Sequence, residues 1–408
     1  MTLHPERALT SWRDVCRPPK LDWRVLGYCR ERWWLRTWLI LMVSSTLCLG
    51  QSAARLSSRG DGIGTPIYTV QPLKTVSGTT VSTSKSSVLN TVPVWTGTFR
   101  YAERGTSRRF PYTMVGTNPW TRSVTTSVPT EIIPIALIFS NGVSLDGTTR
   151  VADTIASPIF QPFVSQSGFT QYGDAMSRAS FHSVVQQRSP NWHVLLGRPS
   201  VFATHTLTVP PEQGFEFTGT GSGAPIGLVN LEWFAEKLRN LLTSLNIDSH
   251  TLPIFLTYNS FLFSETPKSC CVIGFHSAVA STGPGSSQNV NTFVWASYND
   301  RGIFERPIED ITALSHEVAE WYHDPLTQNV VPAWPQPGSG VCFSNIMEVG
   351  DAIERFPDLS FAVKMGDVEY HPQDVALFSW FSRQSPSIGL NGRYSYRGAK
   401  LARPAPTC

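Results

Sequence analysis

Three consecutive apolar segments that favour strands follow a segment with helical periodicity, and this order constrains the fold more than any other feature. The helical segment spans 228–245, where Leu and Phe recur every three or four residues and charged residues lie opposite. The apolar segments span 253–263, 271–278 and 291–298. Strands mixed with a few separated helices predict an α+β fold, with one domain over residues 91–408. Further strands are predicted over 92–101, 110–115, 131–139, 191–196 and 201–209, and a further helix over 172–185.

Residues 1–54 resemble a targeting segment. Residues 1–36 contain eight basic and four acidic residues, and an uncharged stretch of 14 residues follows at 37–50. That stretch is too short to span a membrane and is typical of the hydrophobic part of a signal peptide, with cleavage near Ser52. The alternative is an uncleaved signal anchor over residues 33–50. We therefore expect a secreted or periplasmic protein that contacts a membrane only through this N-terminal segment.

The composition changes after the leader. Outside residues 1–36 the chain has 25 basic and 26 acidic residues, so its charge is nearly balanced. A neutral surface does not attract a phosphate backbone, and we expect no nucleic-acid partner. Residues 55–90 are rich in Ser and Thr and poor in large apolar residues, which predicts a linker or a weak β-extension.

Four of the seven cysteines lie after the leader, namely Cys270, Cys271, Cys342 and Cys408. An even number of cysteines in an exported chain permits one or two disulfides. Because a bridge between adjacent cysteines is strained, we expect Cys342 to pair with one of the adjacent two. The chain contains no CxxC motif, so the sequence does not support a thiol zinc site.

A second helix, predicted over 308–323, carries the residues best suited to chemistry. Pro307 before its first turn and Pro325 beyond its last residue set the limits of this helix. His316 and Glu320 are four residues apart, so both side chains project from one face and can bind one ion. Glu317 lies between them and can act as the base on a metal-bound water. This is the geometry of the HExxH zinc helix, with Glu in place of the second His.

A catalytic zinc ion takes three protein ligands and leaves its fourth position to water. Glu348, in the motif MEVGD, is the predicted third metal ligand, and Asp351 is predicted to hold the His316 ring through its far nitrogen. The expected cofactor is one zinc ion, although two carboxylates also suit calcium or manganese. Asp324 is a further candidate near the metal, and we favour for it a role in closing the helix.

Other interpretations of these residues stay open. In one interpretation, Glu317 and Glu320 are solvated and His316 is a packed polar residue. Tyr370 and His371 are candidate donors to the oxyanion of a hydrolysis reaction, or alternatively a packed Tyr and a surface His. Several aromatic residues either line a substrate cleft or belong to the core, and we favour the core interpretation. They are Trp321, Trp334, Trp380 and Phe381.

These motifs resemble those of a group of secreted bacterial proteins that share HExxExxxDP, a Trp-containing loop and E[VI]GD. Plant Exordium-type (phosphate-induced) proteins are more distantly similar. The resemblance covers most of residues 90–398 and implies a zincin-like fold, with a mixed sheet packed on an active-site helix and a backing helix. The matching segments are SPIFQPF (157–163), TQYGDAMSRASF (170–181), HVLLG (193–197), CCVIGFHSA (270–278), ALSHEVAEWYHDP (313–325), MEVGD (347–351) and YHPQDVALFSWFSRQSPS (370–387).

Two functions of different classes follow from these residues. The first is an exported metal-dependent hydrolase of the peptidase type, acting on a peptide or another extracytoplasmic polymer. The second is a non-catalytic secreted or cell-surface binding protein, in which the same helix holds a structural metal or none. Glu317 discriminates between them, because a structural site has no use for a carboxylate at an open coordination position.

Overall fold

The structure of the chain is a computed structural model. It describes residues 74–75, 89–103, 105–219, 221–282, 288–398 and 400–408. The predicted leader lies outside the described residues, as does most of the predicted linker. Two short pieces of that linker are strands that join the main sheet. Within the described residues, no helix has both the length and the apolar character needed to cross a membrane.

The regular elements of the described residues include six α-helices and 23 strands. The α-helices are α1 (Val151–Ala156), α2 (Tyr172–Ser180), α3 (His182–Arg188), α4 (Leu231–Ser244), α5 (Thr312–His323) and α6 (Phe378–Phe381). The strands are β1 (Lys74–Thr75), β2 (Leu89–Asn90), β3 (Val94–Glu103), β4 (Thr106–Val115), β5 (Thr125–Val128), β6 (Thr130–Ile138), β7 (Ser144–Asp146), β8 (Phe163–Ser165), β9 (Gly168–Thr170), β10 (His193–Leu196), β11 (Ser200–Val201), β12 (His205–Thr208), β13 (Gly214–Thr218), β14 (Pro225–Asn230), β15 (Leu252–Tyr258), β16 (Ser260–Phe263), β17 (Cys270–Val272), β18 (Gly274–Thr282), β19 (Gln288–Tyr298), β20 (Val330–Pro335), β21 (Cys342–Ile346), β22 (Val363–Met365) and β23 (Val368–Tyr370).

A mixed, nine-stranded sheet organises the domain. Its main order is β1-β18-β19-β15-β6-β11, and β2, β7 and β12 pair with β19 or β6. Strands β6, β15 and β19 are parallel, whereas β18 runs antiparallel to β19. The mixed sheet with separated helices confirms the predicted α+β class.

Both faces of the sheet are covered, one by helix α4 and the other by helix α5. Ile133 and Trp295 belong to the core on the α4 side, where the Trp295 ring meets Phe234 with ring centroids 5.2 Å apart. Their sequence neighbours Ile132 and Val294 belong to the core on the α5 side. This alternation is expected of strands buried on both faces, where successive side chains point in opposite directions.

Helix α5 begins four residues later than predicted. Asp310 has a φ of +43°, which is not helical, and it forms an isolated bridge with Asn299. Those contacts hold 308–311 against the end of β19 and leave Thr312 as the first helical residue. The predicted helix 172–185 is likewise interrupted, at Phe181, and forms α2 and α3.

The expected pairing of Cys342 with one of the adjacent cysteines is wrong. Cys342 pairs with Cys408, across a Cα–Cα distance of 5.7 Å, and Cys270 pairs with Cys271. The reason is the path of the C-terminal residues, which run back along β20. Arg383 holds them there, because its guanidinium donates to the carbonyl groups of Ala333 and Ala405.

The large aromatic residues confirm the core interpretation. Trp321 and Trp334 are 0% exposed, and Trp380 and Phe381 are 1% exposed. Trp334, Trp380 and Phe381 contact one another edge to face, with ring centroids 4.8–5.6 Å apart. They stabilise the packing of α6 against β20.

Candidate metal centre

Three segments meet at the candidate site: helix α5, strand β18 and the loop 348–351. All twelve residues of α5 are buried, because the helix packs between the sheet on one side and α2 on the other. The exposed fractions of Glu317 and Glu320 are 0% and 1%. The interpretation of these glutamates as solvated helix residues is therefore wrong. Buried carboxylates need hydrogen bonds, protons or cations to be stable.

Three carboxylate oxygens converge on one nitrogen of His316. Its Nε2 lies 3.1 Å from Glu320 Oε1, as the one-turn spacing predicts. The same nitrogen lies 3.5 Å from Asp351 Oδ1 and 4.0 Å from Glu317 Oε1. Asp351 thus reaches the His316 ring as predicted, but at the nitrogen that faces Glu320 rather than at the far one. This position makes its carboxylate a candidate ligand.

His276 belongs to the site, and the sequence analysis missed it. Its Nδ1 lies 3.2 Å from Glu317 Oε2 and 3.5 Å from Glu320 Oε2. It comes from β18, where Phe275 and Val279 enter the core on the α4 side. Alternation therefore directs His276 toward α5. A single buried histidine on the core face of an otherwise apolar strand was the signal that could have found it.

Glu348 meets the carboxylate of Glu320. Its exposed fraction is 2%, and neither of its oxygens accepts a hydrogen bond from an N–H or hydroxyl group of the described residues. Ligand atoms of Glu348, Glu320 and His276 lie within 4.8 Å of one another, and those of His316, Glu317 and Glu320 do so too. The three metal ligands predicted from the sequence are thus brought together, but in two groups that share Glu320.

The loop 348–351 is shaped to hold α5 at close range. The backbone N–H groups of Gly350 and Asp351 donate to Glu320 Oε1 at 3.0 and 3.3 Å. A Cβ atom on Gly350 would lie 2.4 Å from His316 Nδ1 and 2.5 Å from Cε1. Only glycine lets the backbone approach the ring so closely. Gly274 on β18 has a similar role, because its Cβ would lie 2.8 Å from Glu317 Oε1.

The site is rich in carboxyl groups, and among the described residues none of them pairs with a Lys or Arg. Burial raises the pKa of Glu317, Glu348 and Asp351, and the neighbouring Glu320 carboxylate raises each of them further. Burial would raise the pKa of Glu320 as well, but the charge and hydrogen bond of His316 lower it to about 2. Within the described residues, the ion pairs of these four carboxylates are all with histidines.

These residues fit a divalent cation. Glu317 Oε1, Asp351 Oδ1 and both oxygens of Glu348 are buried atoms that accept no hydrogen bond within the described residues. Imidazole nitrogen and carboxylate oxygen are the ligands that zinc takes in catalytic sites, and manganese accepts the same set. A cation placed among these atoms would compensate their charge and satisfy their lone pairs.

Tyr370 and Asp324 make polar contacts of their own. The Tyr370 hydroxyl donates to the carbonyl oxygen of Asp153 at 2.8 Å. The Asp324 carboxylate accepts the backbone N–H groups of Gln328 and Asn329, both at 2.9 Å, and this confirms that Asp324 closes the helix. Burial raises the pKa of Asp324 to about 7.

His371 lies beside the N-terminus of α5, where its carbonyl oxygen accepts a hydrogen bond from Thr312 Oγ1 at 2.7 Å. Its Nδ1 lies 2.7 Å from Asp310 Oδ2 and 3.6 Å from Glu309 Oε1. Neither group of candidate ligand atoms includes His371. Its ring also lies 3.6 Å from Glu369 Oε1, through Nε2, so the ring is an ion-pairing group in this structure.

We expect the pKa of His371 to lie above 6.5, because the hydrogen bond to Asp310 stabilises the imidazolium form. This pair then stabilises the fold fully below pH 6.5, and its contribution is lost as pH rises through the raised pKa. An Asp310→Asn variant tolerates the positive φ and removes the charge. Its His371 pKa, followed by NMR titration, should fall toward 6.5. An unchanged titration midpoint would contradict this pairing.

The chain was compared with models of protein families, with curated proteins and with solved structures. None of the three comparisons gives a match.

Proposed function

We propose that this chain is an exported, zinc-dependent hydrolase of the peptidase type. The observation that carries the proposal is the meeting of two imidazoles and four carboxylates on helix α5, strand β18 and the loop 348–351. Each of these side chains is 4% exposed or less. Such a donor set is costly to bury without a cation, and glutamates and histidines on a zinc-type helix are the residues that metal-dependent hydrolysis uses.

The roles of the residues follow from their contacts. His316 and Glu320 would hold the ion, with Asp351 and Glu348 as further ligand candidates beside them. When bound, the ion supplies Lewis acidity for hydrolysis. Glu317 would accept the proton of the attacking water and pass it to the leaving amine. The 3.2 Å contact between Glu317 Oε2 and His276 Nδ1 would keep that carboxylate oriented.

We also propose that the fold is zincin-like, with α5 as the active-site helix and α4 as the backing helix. The position of the sheet between these two helices supports this assignment. Membership of the secreted bacterial group is proposed on the motifs. Three of its matching segments, 270–278, 313–325 and 347–351, supply the residues of the metal centre. The proposed substrate is a peptide or another extracytoplasmic polymer.

The proposal is tested by the metal content of the full chain, purified from an oxidising compartment and analysed for its elements. We expect zinc in the wild type and a lower zinc content in His316→Ala, because His316 Nε2 faces three carboxylate oxygens. A His371→Ala variant is the matched control and should keep its zinc. Absence of metal from the wild type, after reloading with zinc, would contradict the proposal.

A second candidate function is favoured by the burial of the centre. A structural ion in a non-catalytic secreted protein would hold three segments together, and it would need no path for a substrate. The complete burial of His276, His316 and Glu317 suits such a role. This candidate shares the metal with the first but predicts no turnover with any peptide.

Removing the ion is expected to destabilise the fold in either case. An ion present at about 100 times its Kd stabilises the folded state by about 2.7 kcal/mol. For a domain of about 320 residues, with an unfolding entropy of about 2.1 cal/mol/K per residue, that corresponds to a fall of about 4 °C in the unfolding temperature. The measurement is thermal unfolding after extended incubation with a chelator, with a Glu320→Gln variant as the control that should not respond. An unfolding temperature unaffected by the chelator would show that the fold does not depend on an ion.

A further inference from the structure

Each of the two helix glutamates offers one oxygen to each of two histidines. Glu320 Oε1 lies 3.1 Å from His316 Nε2, and Glu320 Oε2 lies 3.5 Å from His276 Nδ1. Glu317 repeats the pattern, with Oε1 at 4.0 Å from His316 Nε2 and Oε2 at 3.2 Å from His276 Nδ1. The site therefore has two ends, one at each histidine, and the glutamates lie between them.

Each end also has a carboxylate of its own. Asp351 Oδ1 lies 3.5 Å from His316 Nε2. Glu348 belongs to the group of ligand atoms that contains His276 and Glu320. It is 2% exposed, and both of its oxygens are without a hydrogen-bond donor among the described residues. The acid at the second end is thus buried, and its carboxyl group meets that of Glu320 at the centre.

A single ion does not account for both ends. Ligand atoms that bind one zinc ion at about 2.0–2.2 Å lie at most about 4.4 Å apart. Two groups of candidate ligand atoms within 4.8 Å of one another occur among the described residues, and neither contains both histidines. An ion at His316 would therefore leave His276 and Glu348 without an ion to bind.

We propose that the centre binds two divalent cations, with Glu320 as a bridge between them. One ion takes His316 and Glu320, with Asp351 as a further ligand candidate 3.5 Å from His316 Nε2, and the other takes His276, Glu320 and Glu348. Glu317 lies 3.2 Å from His276 Nδ1 and 4.0 Å from His316 Nε2, where it would act as the base for the attacking water. The inference rests on the proposed metal-dependent function and changes its class, from a one-metal to a two-metal hydrolase.

Charge supports the second ion. Glu317, Glu320, Glu348 and Asp351 carry four negative charges when ionised, and two divalent cations balance them. One cation would leave two negative charges in a site that is 4% exposed or less. Uncompensated charges at such depth are strongly unfavourable. In two-metal hydrolases the ions lie about 3.5–4 Å apart, a distance that one carboxylate spans with its two oxygens.

The test counts the ions bound to the full chain, loaded with zinc and freed of excess, by elemental analysis against protein concentration. We expect two zinc ions in the wild type and one in each of the variants His276→Ala and His316→Ala. The control His371→Ala should keep two. One ion in the wild type would overturn this inference and leave the proposed function standing. No ion in the wild type would instead contradict the proposed function itself.

A spectroscopic readout covers the case in which a histidine variant fails to fold. The wild-type chain loaded with manganese gives an electron paramagnetic resonance spectrum that depends on the distance between ions. Two ions bridged by Glu320 should give an exchange-coupled spectrum, and Glu348→Gln should convert it to the six-line signal of an isolated ion. An isolated-ion signal in the fully loaded wild type would overturn the proposal.

Discussion

Replacement of Glu317 by Gln is expected to slow peptide hydrolysis by about a thousandfold while the metal content stays the same. Gln has the size and shape of Glu but does not accept a proton, and a general base contributes about 10²–10⁴ to the rate. The amide can keep the contact with His276, which is 3.2 Å from the carboxylate in the wild type. The measurement is kcat/KM on a peptide substrate, beside elemental analysis of the same sample.

A matched control for this variant is Glu309→Gln. Glu309 is a buried glutamate three residues before α5, and it belongs to neither group of candidate ligand atoms. Its replacement should leave the rate within a few-fold of the wild type. A Glu317→Gln variant that retains full activity would eliminate the proposed base. A variant that loses both activity and metal would assign Glu317 to ion binding instead.

Replacement of Gly350 by Ala is expected to weaken metal binding by about a hundredfold. The added Cβ would lie 2.4 Å from His316 Nδ1 and 2.7 Å from Cγ, and the ring is completely buried. The ring therefore has to leave its position, which separates Nε2 from Glu320 and Asp351. Disturbing the groups that orient a ligand costs about 10–100-fold in affinity, and overpacking adds about 1–3 kcal/mol of lost stability.

Affinity for zinc, measured by competition with a chelator of known strength, gives the size of this effect. Gly274→Ala is the matched comparison, because its Cβ would meet Glu317 at 2.8 Å and not a histidine ring. A glutamate side chain can rotate away, so that variant should lose rate and keep most of its affinity. Wild-type affinity in Gly350→Ala would show that the loop 348–351 does not fix the His316 ring.

The parts of the site that are close in sequence were predictable. His316, Glu317 and Glu320 are fixed by the helix period, and this period places all three at the centre. Glu348 and Asp351 were predicted from a short acidic motif, and both reach Glu320 or His316. The predicted strands lie within a few residues of observed ones, because alternating and continuous apolar runs mark them directly, whereas about half of the observed strands were not predicted.

What the sequence did not reveal depends on contacts between distant residues. His276 lies 40 residues before His316, and no residue spacing links the two. The Cys342–Cys408 disulfide depends on where the last residues run, which no local pattern encodes. Tyr370 was a candidate oxyanion donor or a packed Tyr, and in the structure it is buried with its hydroxyl donating to the carbonyl oxygen of Asp153. Each of these outcomes is set by tertiary packing rather than by residue spacing.

The depth of the centre also governs how fast an ion could enter or leave. The six candidate ligands are each 4% exposed or less, so neighbouring described residues shield an ion among them from solvent. Local opening of the three segments would speed ion exchange and substrate entry alike, and such openings are rarer the more buried contacts they break. An ion enclosed during folding would stay bound for much longer than its affinity alone implies. The metal recovered from the purified protein would thus record the medium in which the chain folded.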